Sequence, residues 1–219
     1  MSDHQTIYQA LRKQKLLPLF YHPEQEVCVN TIQALYDGGI RIIEFTNRGE
    51  NALQQFAELI QMRATRWPEL LLAIGTVKTP EQARDFLAAG ADFIICPGTV
   101  KEVGEITHAA GKVWIPGAMT VSEILLAQSV GAGFIKLFPG NLLGPSFMAG
   151  IRDIFPDLYF MPTGGVELTI DNLQAWFDAG VSAVGLGSKF LSKDLLARKN
   201  FAEITRLSKQ ALELAQQVK

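Results

Sequence analysis

A lysine stands inside an otherwise apolar segment of the chain, residues 133–139, GFIKLFP. Lysine is rarely buried without a partner, and burial disfavours its charged form, so an ammonium group in a dry interior tends to lose its proton. A neutral amine in a pocket attacks carbonyl carbons and forms a Schiff base. Lys136 therefore predicts covalent imine chemistry. The alternative is a lysine at a sheet edge whose long side chain reaches water.

A glutamate occupies a comparable place in an earlier apolar segment. Glu44 alternates with Ile43 and Phe45, and successive side chains of a strand point to opposite faces. The outward face of a strand covered by helices must be apolar, so we expect both Glu44 and Lys136 to point inward and to lie close together. The alternative is an ion pair that only fills the core, but buried pairs are weak stabilisers.

Eight short apolar segments recur along the chain, with starts 20 to 30 residues apart. They are residues 16–20, 40–45, 70–75, 92–97, 113–117, 133–138, 159–164 and 183–188. Near-continuous apolar strands are typical of a parallel sheet that is buried on both faces. Helical spacing of apolar residues predicts helices at 24–37, 51–66, 80–89, 121–130 and 170–179, with a short helix at 8–14 and a closing helix at 198–217.

This alternation predicts an α/β fold, a (β/α)₈ TIM barrel with a short N-terminal helix, formed by one domain over residues 1–219. The chain of 219 residues, 48% of them hydrophobic, is long enough to bury a large core. An open doubly wound sheet is the alternative, but no G-x-G-x-x-G motif follows the first predicted strand.

Composition excludes several classes of partner. The net charge of −2 offers no basic surplus for nucleic acid or an anionic membrane, and no apolar run approaches the length of a membrane span. The polar N-terminus shows no signal-peptide pattern, so we expect a cytoplasmic protein in which Cys28 and Cys96 are reduced core thiols. The three histidines are scattered, and no cluster has metal-ligand spacing, so no metal site is predicted.

In such barrels the active site lies at the carboxyl ends of the strands. The candidate site residues at or just after the predicted strand ends are Glu44, Arg48, Thr76, Pro97, Lys136, Phe138, Thr163, Gly164, Gly165, Gly187 and Ser188. The last two strands end in glycine-rich turns. Because glycine lets backbone N–H groups approach an anion closely, and the loops after strands seven and eight commonly hold phosphate, these turns predict an anion site.

Seven short motifs, in this order, resemble the 2-keto-3-deoxy-6-phosphogluconate (KDPG) and 4-hydroxy-2-oxoglutarate (KHG) aldolase family, class I aldolases of the small trimeric barrel type. They are GIRIIEFTNR at 39–48, IGTV at 74–77, CPG at 96–98, IPGAMT at 115–120, IKLFP at 135–139, PTGG at 162–165 and VGLGS at 184–188. The resemblance runs from about residue 16 to the C-terminal helix. Any one motif alone is modest evidence, but the combination is specific.

The resemblance implies a role for individual residues. Lys136 matches the Schiff-base lysine, and Glu44 matches the catalytic glutamate. Arg48 and Thr76 match residues at the pyruvyl carboxylate, and Gly164, Gly165 and Ser188 match the phosphate site. The remaining substrate-binding candidates are Pro97, Phe138, Thr163 and Gly187 at the predicted strand ends.

The implied activity is cleavage of a 2-keto-3-deoxy-6-phospho sugar acid, or of 4-hydroxy-2-oxoglutarate, to pyruvate plus glyceraldehyde 3-phosphate or glyoxylate. It needs no cofactor, because the electron sink is the imine on Lys136. A phosphosugar isomerase or epimerase on the same barrel, using Glu44 as a base, and a non-catalytic phosphosugar-binding protein are the alternatives. The expected partner is a small 2-keto acid substrate. Borohydride trapping with pyruvate would distinguish the aldolase from an isomerase or epimerase, because only the aldolase forms an imine.

The sequence also departs from the family pattern. Asn47 and Gly49 flank Arg48 where an apolar and a hydroxyl residue are common, and Tyr21-His22-Pro23 follows the first strand in place of an aliphatic or arginine-containing run. These departures bear on substrate preference and leave the lysine chemistry intact. The resemblance also implies a homotrimer, for which Trp67, Trp114 and Phe147 are candidate apolar contact residues. The alternative is that each of them packs against the helices of its own barrel.

Overall fold

The computed structural model describes residues 4–218, in which ten helices and nine strands alternate. The strands are β1 Leu16–Phe20, β2 Ile42–Thr46, β3 Leu71–Gly75, β4 Phe93–Ile95, β5 Val113–Ile115, β6 Gly117–Ala118, β7 Phe134–Leu137, β8 Tyr159–Pro162 and β9 Val184–Leu186. The helices are α1 His4–Gln14, α2 Gln25–Asp37, α3 Ala52–Arg66, α4 Pro80–Ala88, α5 Lys101–Ala109, α6 Val121–Ser129, α7 Gly140–Ile151, α8 Ile170–Asp178, α9 Lys193–Ala197 and α10 Phe201–Gln217. The expectation of no signal peptide rests partly on residues 1–3, which lie outside the described residues.

All the pairings between the described strands are parallel, and they form two sheets. One has six strands in the order β5-β4-β3-β2-β1-β9, and the other has three in the order β6-β7-β8. The α/β class with parallel strands is therefore confirmed, whereas the expected single ring of eight strands is present only as these two sheets. A parallel bridge between Thr163 and Gly185 links the end of β8 to β9.

Proline explains why the predicted fifth strand is divided. Pro116 separates β5 from β6, and proline has no N–H to donate to a neighbouring strand. Its carbonyl still accepts a hydrogen bond from the Lys136 N–H at 2.8 Å, so the segment continues to hold β7 in place. The interruption thus lies directly beside the strand that carries the predicted nucleophile.

The five helices predicted in the middle of the chain are present, each shorter by one residue at one end than predicted. Helix α1 begins four residues before its predicted start, and α10 begins three residues after the predicted start of the closing helix. The start signal of α4 is confirmed, because the Thr79 hydroxyl accepts a hydrogen bond from the Gln82 N–H at 3.3 Å. Helices α5, α7 and α9 are not among the predicted helices. The glycine-rich α7 is kinked at Gly144, whose φ is 70°, and Pro145 follows.

Two apolar cores hold the strands in place. The outer core lies between strands and helices, and the inner core combines inward-facing strand residues with Ile7, Tyr8 and Leu11 of α1. Helix α1 therefore packs on the inner face of the sheets, where the Tyr8 hydroxyl accepts a hydrogen bond from the Gly133 N–H at 3.2 Å, just before β7. In the described residues, no helix is both long enough and apolar enough to cross a membrane.

The expectation that Trp67 and Trp114 form a contact surface is wrong. Both indoles are fully buried, with Trp67 Nε1 donating to Gln33 at 3.0 Å and Trp114 Nε1 donating to the Cys96 sulfur at 3.2 Å. Both indole rings are packed and both indole N–H groups are hydrogen-bonded within one chain, so neither tryptophan is available for a contact between chains. Phe147 is half-buried. Cys28 and Cys96 are free and buried, as expected.

Candidate active site

Lys136 and Glu44 meet in the interior, although 92 residues separate them in the sequence. Lys136 extends from β7 and Glu44 from β2, and Lys136 Nζ lies 3.4 Å from Glu44 Oε1. The side chains are 6% and 0% exposed. The second carboxylate oxygen, Oε2, is buried without a hydrogen-bond partner in the described residues. Burying a polar oxygen without a hydrogen bond lowers the stability of the folded protein. Such an oxygen is therefore more typical of a functional site than of an ion pair that stabilises the fold.

Glycines on the neighbouring strands make room for this pair. A Cβ at Gly75, the last residue of β3, would collide with the Glu44 carboxylate. Gly117 of β6 stands opposite Lys136 in the strand pairing, and a Cβ there would collide with the Pro97 carbonyl. Larger residues at these two positions would displace the carboxylate or push the strands apart, so the local sequence is adapted to hold the pair.

The other buried nucleophile in this region is inert. Burial raises the pKa of the Cys96 thiol to about 12, and the Trp114 hydrogen bond and the charge of Lys136 oppose that rise only in part. The thiolate is the reactive form of cysteine, so Cys96 is unreactive at neutral pH. Among these buried groups, Lys136 is the candidate nucleophile.

A cavity of about 140 Å³ lies at the carboxyl ends of the first two and last three strands. Its wall consists of Leu19, Arg48, Phe138, Thr163, Gly164, Gly165, Val166, Gly185, Gly187, Ser188 and Lys189. Seven of these eleven are predicted substrate-binding residues. Phe138 links the cavity to the buried pair, because its ring centroid lies 5.5 Å from Lys136 Nζ.

The glycine-rich turns form one side of this cavity. Gly164 and Gly165 have φ angles of 94° and 76°, which favour glycine, and a Cβ at Gly165 would collide with Asn141. In the described residues, the backbone N–H groups of Gly164, Gly165 and Ser188 donate to no other protein group. Unpaired N–H groups from neighbouring turns are suited to bind an anion.

Two further features distinguish the turn after β8 and the loop after β3. The Thr163 hydroxyl oxygen is buried without a hydrogen-bond partner in the described part of the chain, and it faces Gly185 across the gap between β8 and β9. Thr76 has a φ of 61°, a left-handed conformation that is uncommon for a residue with a branched Cβ and is often found at functional positions.

The structure does not bring all the predicted residues into the cavity wall. Thr76 and Pro97 follow the neighbouring strands β3 and β4, and Lys136 lies in the interior beside Phe138 and paired with Glu44. Lys189 also belongs to the wall and was not among the predicted binding residues, because it lies just beyond the end of the last predicted strand. Within residues 4–218 no group of three or more side chains could hold a metal ion.

The family model described as KDPG and KHG aldolase matches residues 7–207, and the chain therefore belongs to this aldolase family. A 2-dehydro-3-deoxy-phosphogluconate aldolase of Treponema pallidum is 34% identical over 211 residues, which cover 95% of this chain and 97% of that protein. A KHG/KDPG aldolase of Escherichia coli strain K12 is 30% identical over 200 residues, which cover 90% and 91% of the two chains.

Solved structures resemble the whole fold. The KDPG aldolase of Legionella pneumophila, crystallised with pyruvate captured as a covalent carbinolamine, has a TM-score of 0.85 and 30% identity, and covers 93% of this chain and 97% of its own. A 4-hydroxy-2-oxoglutarate/KDPG aldolase from TTHB1 has a TM-score of 0.80 and 29% identity over 95% of this chain and 98% of its own.

Proposed function

We propose that this chain is a class I aldolase that cleaves a 2-keto-3-deoxy-6-phospho sugar acid or 4-hydroxy-2-oxoglutarate to pyruvate plus glyceraldehyde 3-phosphate or glyoxylate. The observation that carries the proposal is the buried Lys136–Glu44 pair, with an unpartnered carboxylate oxygen, beside a cavity lined by unpaired N–H groups. Membership of the aldolase family supports the same reaction.

The first half of the reaction forms the imine. Lys136 Nζ attacks the 2-keto carbon of the substrate and gives a carbinolamine. Loss of the hydroxyl group as water, after proton transfer, leaves a protonated imine. Glu44 is the acid/base for these transfers, because its carboxylate lies 3.4 Å from Nζ and keeps one oxygen without a protein partner. The carbinolamine trapped in the Legionella pneumophila relative is the corresponding intermediate of that protein.

The second half breaks the carbon–carbon bond. Removal of the proton from the C4 hydroxyl lets the C3–C4 electron pair move into the protonated imine, which releases the aldehyde and leaves the pyruvate enamine. Protonation at C3 and hydrolysis then release pyruvate and the free amine of Lys136. No electron is gained or lost from outside, so the proposed reaction needs no cofactor beyond this lysine.

Binding roles are proposed for seven residues of the cavity wall and for Thr76 and Pro97, which lie outside it. Arg48, which is exposed at the mouth, is proposed to pair with the pyruvyl carboxylate together with Thr76, and Thr163 to offer its unpartnered hydroxyl. The N–H groups of Gly164, Gly165 and Ser188 are proposed to hold the phosphate. Phe138, Pro97 and Gly187 then shape the space between imine and phosphate.

The closure of the sheets into one barrel is part of the same proposal. We infer that the two sheets act as one closed (β/α)₈ barrel in a single domain, since only Pro116 separates β5 from β6 and the Thr163–Gly185 bridge joins the other seam. The preference for a phosphorylated 2-keto acid, the homotrimer and the cytoplasmic location stay predictions.

Borohydride trapping tests the proposal. We expect reduction with pyruvate to leave a stable adduct on the peptide that contains Lys136, and Lys136→Arg to abolish both the adduct and aldol cleavage, because a guanidinium does not form the imine. Lys78→Arg is the matched control, since Lys78 lies exposed after β3 and outside the cavity wall.

Two results would contradict the proposal. An adduct on Lys78 or Lys189 would place the imine elsewhere. Isomerase or epimerase activity without any pyruvate adduct would favour non-covalent base chemistry at Glu44, and phosphosugar binding without turnover would favour a binding protein.

A further inference from the structure

The cavity wall is electrostatically one-sided. Its two ionisable residues are Arg48 and Lys189, and none of the described residues that line it is acidic. Arg48 is proposed for the pyruvyl carboxylate, which leaves the charge of Lys189 without a function. Lys189 directly follows Ser188, at the turn whose N–H groups donate to no other group among residues 4–218. A cation next to unpaired N–H groups strengthens any anion site there.

Lys189 already has a partner, but that partner lies outside the cavity. Its Nζ lies 3.0 Å from Glu167 Oε1, and the two side chains are 59% and 49% exposed. Glu167 is not a wall residue, and its own N–H is held at 2.9 Å by the Asn172 side chain at the start of α8. The ion pair therefore joins the turn after β8 to the turn after β9 at the rim of the cavity.

An exposed ion pair of this kind is weak, because water and salt screen both charges. An ammonium group carries three donors and can serve two acceptors at once, or exchange one for another. A dianion bound to the N–H groups of the two turns would lie beside Lys189 with twice the charge of the Glu167 carboxylate. The larger charge of the bound anion and the weakness of the exposed ion pair favour movement of the Lys189 ammonium from Glu167 to the anion.

We propose that Lys189 is an anion-binding residue of this cavity and that Glu167 is its exchangeable partner, so that the pair sets the preference for substrates with a distal phosphate. The inference rests on the proposed aldolase function and adds a specificity-determining pair to it. 4-Hydroxy-2-oxoglutarate has no phosphate, and its distal carboxylate is attached directly to C4, closer to the imine than a 6-phosphate, so its cleavage does not depend on Lys189.

Steady-state kinetics on both substrates test the pair. Lys189→Met is expected to raise KM for the phosphorylated substrate about tenfold, as loss of a partly exposed charged hydrogen bond would, and to leave KM for 4-hydroxy-2-oxoglutarate unchanged. Glu167→Gln is expected to lower KM for the phosphorylated substrate, because the ammonium is freed. Glu167→Gln made in the Lys189→Met background is expected to have no effect, since the partner is gone.

The chain offers a matched control pair. Lys199 and Glu24 form an ion pair at 2.9 Å, with side chains 46% and 57% exposed, and neither lines the cavity. Lys199→Met and Glu24→Gln remove the same charges at a comparable surface site. They are expected to leave KM for both substrates at the wild-type value, which separates a local effect from a change in net charge.

Calorimetry with inorganic phosphate provides a readout that does not need catalysis. We expect Lys189→Met to weaken phosphate binding about tenfold, and Lys189→Arg, which keeps the cation, to retain most of it. Equal KM changes on both substrates, or unchanged phosphate binding in Lys189→Met, would overturn the role of Lys189. Absence of a pyruvate adduct in wild type would instead overturn the aldolase reaction, while the phosphate result still decides the role of Lys189.

Discussion

At the scale of single residues, Glu44 is a buried carboxylate with one oxygen that no described protein group satisfies. Its carboxylate is fully buried, one oxygen lies 3.4 Å from Lys136 Nζ, and the other has no partner among the described residues. Gly75 leaves the space that this carboxylate occupies. A group kept in such a position contributes little to stability, which favours a role in proton transfer over a structural one.

Glu44→Gln is expected to lower kcat by about 10²–10⁴-fold, because the amide is nearly isosteric but cannot transfer protons. Glu44→Asp, which keeps a carboxylate one carbon further back, is expected to recover part of the loss. Steady-state kinetics provide the measurement, with circular dichroism as a check on folding.

Glu105→Gln is the control for this substitution, since Glu105 is 56% exposed and pairs with Lys101 on α5. We expect it to leave kcat unchanged. A rise in KM alone for Glu44→Gln would show that Glu44 binds substrate and that another group transfers the protons.

At the scale of elements, α1 lies far from the candidate active site but packs against β7, the strand that contains Lys136. Ile7, Tyr8 and Leu11 enter the inner core beside Phe134 of β7, and the Tyr8 hydroxyl holds the Gly133 N–H at the entry to that strand. The predicted site residues all lie toward the opposite, carboxyl ends of the strands. Helix α1 is therefore expected to contribute to stability far more than to catalysis.

Leu11→Ala is expected to cost about 2–4 kcal/mol in the free energy of unfolding, since Leu11 is fully buried and its removal leaves a cavity. The kcat of the folded variant should stay within a few-fold of wild type, because Lys136 and Glu44 keep their strands. Denaturant unfolding and kinetics measure the two effects.

Leu53→Ala on α3 is the control, because Leu53 is 38% exposed and should lose less than about 1 kcal/mol. Similar losses for the two leucine substitutions would show that α1 does not stabilise the inner core. A collapse of kcat in Leu11→Ala at full folding would show instead that α1 positions the site.

At the scale of the whole molecule, the tryptophans expected at a subunit contact are internal, and other apolar side chains reach the surface. Leu125 and Leu126 of α6 are 52% and 42% exposed, and Leu142 of α7 is 66% exposed. Single exposed leucines are ordinary, but two adjacent ones on a helix that faces outward are suited to a contact between copies of the chain.

We expect light scattering at micromolar concentration to give three times the chain mass of 24.1 kDa, as the family resemblance implies. Leu126→Glu is expected to shift the mass toward that of a single chain, because a buried unpaired carboxylate disfavours an apolar contact. Gln128→Glu adds the same charge on the same helix and should leave the mass unchanged. A wild-type mass of a single chain with full activity would exclude the trimer.

The sequence by itself determined the succession of the strands, seven of the ten described helices and the direction of the key side chains. Alternation within each strand placed Lys136 and Glu44 on the inward face, since the period of two fixes the face that a residue occupies. It also placed the glycine turns at the carboxyl ends of the last strands. Helix α7 escaped prediction because Gly144 and Pro145 disfavour a helix locally, and packing outweighs that preference.

Only the tertiary structure decided distances between residues remote in the chain. Strand parity cannot give the 3.4 Å between Lys136 and Glu44, because that distance depends on the number and pairing of the strands between them. The burial of Trp67 and the Lys189–Glu167 pair have the same origin. Each depends on which side chains meet after the strands have paired, and local sequence does not encode those contacts.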